Sequence, residues 1–283
     1  MDLKAIDIHV HPKTEEFIRA SGSRAVQMAA YFGRENKAVS FDELAAQYRA
    51  RSMMACLMNS RDVKGAEQIP VPNERIAEAV RDHPDVFLGF GAIDPHEVEA
   101  SLEEIDKIAE LGLRGLGELN PGRQRFFAND ERYYPLWERA AKRGLILLFH
   151  TGMMGAGAGT PGGMGHKLKY TQPIPYLDDV AADFPTLQII GAHPSWPWQE
   201  ESLAIARHKS NFWIDLSGWA PKYFPPELVR YANTIIQDKV LFGSDWPAVK
   251  PERWLEEFAA LPIKDEVRPK ILLANAKRLL GLE

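Results

Sequence analysis

Short apolar segments rich in β-branched residues alternate with amphipathic helical segments along almost the whole chain. Continuous apolar runs are typical of strands that are buried on both faces, and strands separated by helices pair in parallel. Closure of eight such strands into a barrel is a common solution for this pattern. The sequence therefore predicts an α/β fold, a distorted (β/α)8 TIM barrel, with strands at about Ala5–His9, Met53–Asn59, Val86–Ala92, Leu113–Leu119, Leu145–His150, Leu187–His193, Phe212–Leu216 and Val240–Asp245.

The length of the chain is compatible with one barrel. At 283 residues it exceeds a typical small domain, but barrels of this kind reach this length around one core. We therefore predict a single domain over residues 1–283. Residues of about 12–50 are too many for one connecting helix and predict a lid inserted after strand 1. A glycine-rich segment at about 152–172 is expected to form a loop that borders the functional site.

Histidine or aspartate stands at the carboxyl end of several predicted strands. His9 and His11 lie two residues apart, so on a strand both side chains point to one face and reach one ion. His150 and Asp245 end two distant strands, and the carboxyl ends of barrel strands meet at one rim. Imidazole nitrogens with one carboxylate suit Zn2+ with one position left open for water, although Mn2+ or another divalent transition metal is an alternative. The sequence therefore predicts a catalytic metal site at His9, His11, His150 and Asp245.

This prediction rests on the number of histidines and carboxylates that share the same strand-end position. A His-x-His pair alone is a weak signal because surface histidines are common. Of the eight histidines, however, four lie at the ends of three strand-like runs, and a fourth run ends in Asp245. His166 follows no such run and lies in the glycine-rich segment, so its role stays open.

Charge and hydropathy argue against two classes of partner. The net charge of −5 and the pI near 6.0 leave no basic stripe for nucleic acid. No apolar run approaches the length of a membrane helix, and the first residues lack the apolar stretch of a signal peptide. We therefore expect a cytoplasmic protein that acts on a small molecule, with no nucleic-acid or membrane partner. Cys56, in an apolar run, is expected to be a buried thiol.

Taken in order, the motifs resemble those of the amidohydrolase superfamily. The resemblance is to the amidohydrolase-2 branch, which includes aminocarboxymuconate-semialdehyde decarboxylase and related hydrolases and decarboxylases. The matching segments span nearly the whole chain: Asp7-Ile8-His9-Val10-His11, His150-Thr151-Gly152, Gly191-Ala192-His193-Pro194, Gly243-Ser244-Asp245-Trp246-Pro247 and Asn275-Ala276-Lys277-Arg278-Leu279-Leu280. This resemblance implies a mononuclear zinc at the four predicted ligands, His193 as the acid/base residue, and Asp245 in a second role beside the metal-bound water. It also implies a homodimer.

Candidate substrate-binding residues lie near these motifs. Arg34-Glu35-Asn36 resembles the arginine segment that binds the substrate carboxylate in the decarboxylase, so Arg34 is expected to do the same. Glu118, at the end of strand 4, is expected to be a polar pocket residue, with a second-metal ligand and a strand cap as alternatives. Trp196 and Trp246 follow His193 and Asp245, and such rings form flat walls for a ring-shaped substrate, although tryptophans also pack loops.

Three functions follow from these residues. The leading hypothesis is a metal-dependent hydrolase that uses a metal-bound water and His193 on a carboxylate-bearing, aromatic or ring-derived small molecule. The alternative is a nonoxidative decarboxylase of an aromatic or unsaturated carboxylic acid, because the same ligands can hold a carboxylate while His193 protonates carbon. A catalytically inactive binding protein is less favoured because every expected ligand position is filled.

Overall fold

The fold is an eight-stranded parallel sheet with helices between the strands. The computed structural model describes residues 3–60 and 71–282. Within these ranges the strands follow one another around the sheet in sequence order, and each neighbouring pair is parallel. They are β1 (Ala5–Val10), β2 (Met53–Met58), β3 (Phe87–Gly91), β4 (Gly115–Leu119), β5 (Ile146–His150), β6 (Ile189–Ala192), β7 (Phe212–Asp215) and β8 (Val240–Leu241). The predicted α/β barrel is confirmed.

The barrel closes between β1 and the segment that follows β8. The N–H of Ile8 donates to the carbonyl of Phe242 at 3.0 Å, and the N–H of His11 donates to the carbonyl of Trp246 at 2.8 Å. Val10 also pairs with Trp246 in an isolated parallel bridge. These bonds place the first and last of the predicted metal-ligand motifs side by side at one rim.

Helices cover the outside of the sheet. Among the helices of the described residues, none is both long enough and apolar enough to cross a bilayer. The α-helices in these ranges are α1 (Glu15–Ser21), α2 (Ser23–Tyr31), α3 (Phe41–Ala50), α4 (Asn73–Asp82), α5 (Val98–Glu110), α6 (Pro121–Gln124), α7 (Tyr134–Lys142), α8 (Tyr176–Asp183), α9 (Gln199–His208), α10 (Pro226–Ala232), α11 (Pro251–Ala259) and α12 (Asn275–Leu280).

Buried apolar side chains stabilise the barrel. One large cluster includes Trp137 and Trp254 from the helices, and a smaller one includes Phe90 and Cys56 from the strands. Full burial of such side chains contributes about 1.5–3 kcal/mol each. Gly115 lets Phe90 approach β4, because a Cβ at this position would lie 2.9 Å from the Phe90 ring. The prediction that Cys56 is a buried thiol is confirmed.

The two irregular segments of the sequence contact each other. The connection from β1 to β2 contains α1, α2 and α3, and α3 begins at a capping box formed by Ser40 and Glu43. The glycine-rich segment forms 3-10 turns at Pro161–Gly165 and Leu168–Thr171. The side-chain amide of Gln27, in α2, accepts from the N–H of Gly157 and donates to a carbonyl of the same loop. That these two segments form a lid over the site stays a prediction.

Candidate active site

The residues predicted to form the site meet at the carboxyl rim of the barrel. Their side chains come from strands that are distant in sequence and whose carboxyl ends share one rim of the barrel. They are His9 and His11 at the end of β1, Glu118 in β4, His150 in β5, His193 directly after β6 and Asp245 after β8. The rim thus gathers the titratable side chains that the strand-end pattern singled out.

His9, His11 and Asp245 form one group of ligand-type atoms. Nε2 of His9 lies 3.1 Å from Nε2 of His11. Oδ1 of Asp245 lies 3.3 Å from Nε2 of His11 and 3.7 Å from Nε2 of His9. Ligand atoms at about 2.1 Å from a tetrahedral ion would be roughly 3.4 Å apart. The three spacings therefore fit one divalent ion.

Asp215 fixes the orientation of His9. Its Oδ2 lies 2.8 Å from Nδ1 of His9, and both side chains are fully buried. Because a carboxylate can only accept, Nδ1 must donate, which leaves Nε2 as the nitrogen that faces the site. Burial disfavours a charged His9, but Asp215, Asp245 and Glu118 outweigh burial and raise the pKa of His9 to about 10. The electrostatic field at this place therefore favours a cation.

His150 and Glu118 form a second buried contact. Nδ1 of His150 lies 2.6 Å from Oε1 of Glu118 and 3.0 Å from Nε2 of His193. Burial lowers the pKa of His150, which keeps the ring neutral. The pKa of Glu118 stays well below its usual range, because the contact with His150 and neighbouring cations outweighs the opposing effect of burial. Nε2 of His150 is buried and has no hydrogen-bond partner within the described residues, which is the situation of a nitrogen suited to a metal ion.

Glu118 also lies among the ligand-type atoms of this cluster. One of its oxygens and one nitrogen from each of His9 and His193 lie within 4.8 Å of one another. Its Oε2 is also 3.8 Å from Nε2 of His11. This position allows Glu118 to orient His150 or to ligate an ion, so its expected role in substrate binding stays a prediction.

His193 lies between Glu118 and Ser217 in the cluster. Its Nε2 is 3.5 Å from Oε1 of Glu118, and its Nδ1 is 2.9 Å from Oγ of Ser217. Burial alone would lower the pKa of His193, but a hydrogen bond to Glu118 and the charge of Asp245 raise it overall. The backbone at His193 and at Asp245 has positive φ, 70° and 56°. Such conformations are uncommon for residues with side chains and concentrate at functional sites.

Gly218 makes room for two of these side chains. It has a φ of +74°, and a Cβ at this position would lie 2.7 Å from Nδ1 of His193 and 3.3 Å from Oδ2 of Asp245. Only glycine combines this backbone conformation with this space. The residue after Ser217 therefore shapes the site, although it carries no chemistry of its own.

The predicted substrate residues differ in their surroundings. Arg34 is half-buried and lies three residues after the end of α2. Its guanidinium lies 5.1 Å from the Phe32 ring centre, and the charges of Asp245 and Arg253 act on it. Trp196 is 46% exposed and lies 6.1 Å from the Trp219 ring. Trp246 is only 8% exposed and belongs to the large apolar cluster, which is the loop-packing alternative foreseen for tryptophans. Their roles toward a substrate stay predictions.

Sequence reasoning missed Asp215 and Asp7. Asp215 ends the apolar run Phe212-Trp213-Ile214, which is the same signal that identified Asp245. Asp7 is fully buried and accepts from the hydroxyls of Tyr48 at 2.7 Å and Ser244 at 2.5 Å. Burial raises the pKa of Asp7 to about 6 in spite of these bonds. Asp7 thus joins β1, α3 and the segment after β8 behind the cluster.

Comparison with known proteins agrees with the geometry. The amidohydrolase family model matches residues 6–282. Gamma-resorcylate decarboxylase from Rhizobium sp. (strain MTP-10005) is 23% identical over 250 residues, which is 75% of either chain. An uncharacterised TIM-barrel protein from Bordetella bronchiseptica superposes with a TM-score of 0.80 at 25% identity over 99% of each chain. A 5-carboxyvanillate decarboxylase from Novosphingobium aromaticivorans, complexed with manganese and 4-hydroxy-3-methoxy-5-nitrobenzoic acid, gives a TM-score of 0.68 at 17% identity over 99% of this chain and 96% of its own. The chain therefore belongs to the amidohydrolase family of enzymes, in the amidohydrolase-2 branch that its motifs resemble.

Proposed function

We propose that the protein is a divalent-metal-dependent decarboxylase of a hydroxylated aromatic carboxylic acid. The observation that carries this proposal is the cluster itself, in which ligand-type atoms of His9, His11 and Asp245 adjoin His193 at one rim. Two of the similar proteins are decarboxylases whose names specify aromatic acids. The proposal therefore adopts the alternative that the sequence offered and sets aside hydrolysis as the leading hypothesis.

Four residues would hold the ion: His9, His11, His150 and Asp245. Glu118 is a further candidate, since one of its oxygens lies with ligand-type nitrogens of His9 and His193. When bound, the ion supplies a fixed positive charge that attracts the carboxylate and the neighbouring hydroxyl oxygen of an aromatic acid. Imidazole and carboxylate ligands suit both Zn2+, the expected ion, and Mn2+, the ion bound by the similar decarboxylase.

The chain's own residues supply the proton and the binding of the acid. His193 holds a proton at Nε2 and can give it to the ring carbon that bears the carboxylate. The carbon–carbon bond then breaks, its electron pair restores the aromatic ring, and carbon dioxide leaves. His193 recovers a proton from solvent, so atoms and charge balance over the cycle.

Decarboxylation and hydrolysis differ in their products. Protein loaded with Mn2+ or Zn2+ would be incubated with a panel of hydroxybenzoates that includes 2,6-dihydroxybenzoate and 5-carboxyvanillate. We expect one equivalent of carbon dioxide for each equivalent of the phenol in which hydrogen replaces the carboxyl group. Carbon dioxide is measured by trapping, and the phenol is measured by chromatography. Two hydrolysis fragments from an ester or lactone, without carbon dioxide from any acid, would contradict the proposal.

Substitution of Arg34 by methionine is expected to raise KM about 10- to 100-fold with little change in kcat. Arg34 is half-buried and the charge of Asp245 acts on it, which supports a role for its guanidinium beside the site. Loss of a charge-assisted hydrogen bond to a carboxylate costs about 1.5–3 kcal/mol, which corresponds to this range. Steady-state kinetics on the acid that is turned over would test it.

Arg230 provides the matched control for this variant. It also carries a positive charge, but its Nε donates to Glu227 at 2.9 Å on the exposed face of α10. The Arg230→Met protein should keep KM within about twofold, the range of ordinary surface substitutions. An equal rise of KM in both variants would assign the effect to net charge rather than to Arg34.

A further inference from the structure

The end of β7 touches the site although it provides none of the predicted ligands. Asp215 and Ser217 are both fully buried. Oδ2 of Asp215 lies 2.8 Å from Nδ1 of His9, and Oδ1 accepts from the N–H of Ser217 at 2.6 Å. Oγ of Ser217 lies 3.1 Å from Nδ1 of His9 and 2.9 Å from Nδ1 of His193. One short segment therefore contacts the outer nitrogens of two histidines.

The surrounding backbone leaves a close-fitting space for the carboxylate. A Cβ on Gly243 would lie 2.6 Å from Oδ1 of Asp215 and 2.9 Å from Cβ of Ser217. Glycine at this position lets the segment after β8 pass beside the carboxylate without displacing it. Both oxygens of Asp215 are thus hydrogen-bonded, and the backbone at Gly243 packs against one side of the carboxylate. The orientation of Asp215 is therefore fixed without a bound ion.

We infer that Asp215 is a positioning residue that sets the affinity of the site for its metal by fixing the proton of His9 on Nδ1. This inference rests on the metal site of the proposed function. With the proton on Nδ1, the Nε2 lone pair faces His11 and Asp245, where the ion would bind. A carboxylate often accepts a hydrogen bond from the outer nitrogen of a metal-ligating histidine. Mutation of such a carboxylate typically weakens metal binding 10- to 100-fold.

The Asp215→Asn variant reverses this hydrogen bond with almost no change of shape. The N–H of Ser217 can only donate, so it retains the amide oxygen of asparagine at the Oδ1 position. The amide nitrogen then takes the Oδ2 position and donates to Nδ1 of His9. The ring must carry its proton on Nε2, in the place of the ion. We therefore expect weaker metal binding without loss of the fold.

The test compares metal-free wild-type and Asp215→Asn proteins for their affinity for Zn2+, measured by competition with a coloured chelator. We expect the dissociation constant of the variant to be about 10- to 100-fold larger, with a similar Tm for the two metal-free proteins. Asn211→Ala serves as the matched control. Asn211 is buried just before β7 and donates to the carbonyls of Ala181 and Leu187, away from the cluster. The Asn211→Ala protein should have a lower Tm and a Zn2+ affinity within about threefold of wild type, because the contacts of Asn211 and those of Asp215 share no partner.

The outcomes separate this inference from the proposed function. Wild-type affinity in Asp215→Asn would overturn the inference alone. A wild-type protein that binds neither Zn2+ nor Mn2+ would overturn the proposed function and the inference together. If the variant does not fold, 15N-histidine NMR of the Zn2+-loaded wild-type protein decides, with the His9 signals assigned by their loss in a His9→Gln protein. We expect a proton on Nδ1 of His9, and an unprotonated Nδ1 would contradict the inference.

Discussion

Replacing His193 with alanine is expected to lower kcat for decarboxylation by about 10²- to 10⁴-fold, the usual contribution of a positioned acid or base. Metal content should not change, because His193 follows β6 and is not one of the four predicted ligands. The physical reason is the loss of the imidazole that stands 3.5 Å from Glu118 with a raised pKa. Single-turnover and steady-state rates, together with elemental analysis of the same sample, measure both quantities.

His208 supplies the control for this experiment. It lies at the exposed end of α9 and adjoins Lys209 rather than the cluster. The His208→Ala protein should keep the wild-type kcat within about twofold. If His193→Ala retained full turnover with its metal bound, the assignment of His193 as the proton donor would be wrong.

Loss of the Asp245 carboxylate should have the other large effect. Oδ1 of Asp245 lies 3.3 Å from His11 and 3.7 Å from His9, so it supplies a ligand atom and negative charge together. We expect Asp245→Asn to bind Zn2+ at least about 100-fold more weakly, beyond the 10- to 100-fold typical of an outer partner. Turnover should fall with occupancy. Asparagine is preferred to alanine because it tolerates the positive φ of 56° at this position.

A surface carboxylate distinguishes loss of a ligand from loss of charge. Asp238 lies on the surface after α10 and pairs with Lys270 at 2.9 Å. The Asp238→Asn protein loses the same formal charge and should keep its Zn2+ affinity within about twofold, because exposed charges at a distance are screened. Retention of one tightly held equivalent of metal by Asp245→Asn after dialysis against a chelator would remove Asp245 from the ligand set.

The strands were predictable because parallel strands are buried on both faces and therefore appear as continuous apolar runs. The main discrepancy is β8, which ends at Leu241 although the apolar pattern extended to Asp245. The chain leaves the sheet there for a physical reason. The N–H and hydroxyl of Ser244 bind Asp7, and the positive φ of Asp245 is incompatible with a strand. Local contacts thus override the pattern where the site is built.

The site was predictable only in part. Strand-end positions identified the residues that reach the cluster, because the carboxyl ends of barrel strands share one rim. The contacts of Asp215 with His9 and of Ser217 with His193 join residues that are far apart in sequence, so no spacing indicates them. The geometry of one chain does not describe a subunit interface, a cellular compartment or the movement of a loop. The homodimer, the cytoplasmic location and the lid therefore stay predictions.

The most direct test of the account is a crystal structure of the protein grown with Mn2+ and measured on both sides of the manganese absorption edge. The account predicts one strong anomalous peak at the carboxyl rim, at about 2.0–2.3 Å from nitrogens of His9, His11 and His150 and from an oxygen of Asp245. A well-ordered structure with the four side chains in place and no anomalous peak among them would contradict the central claim.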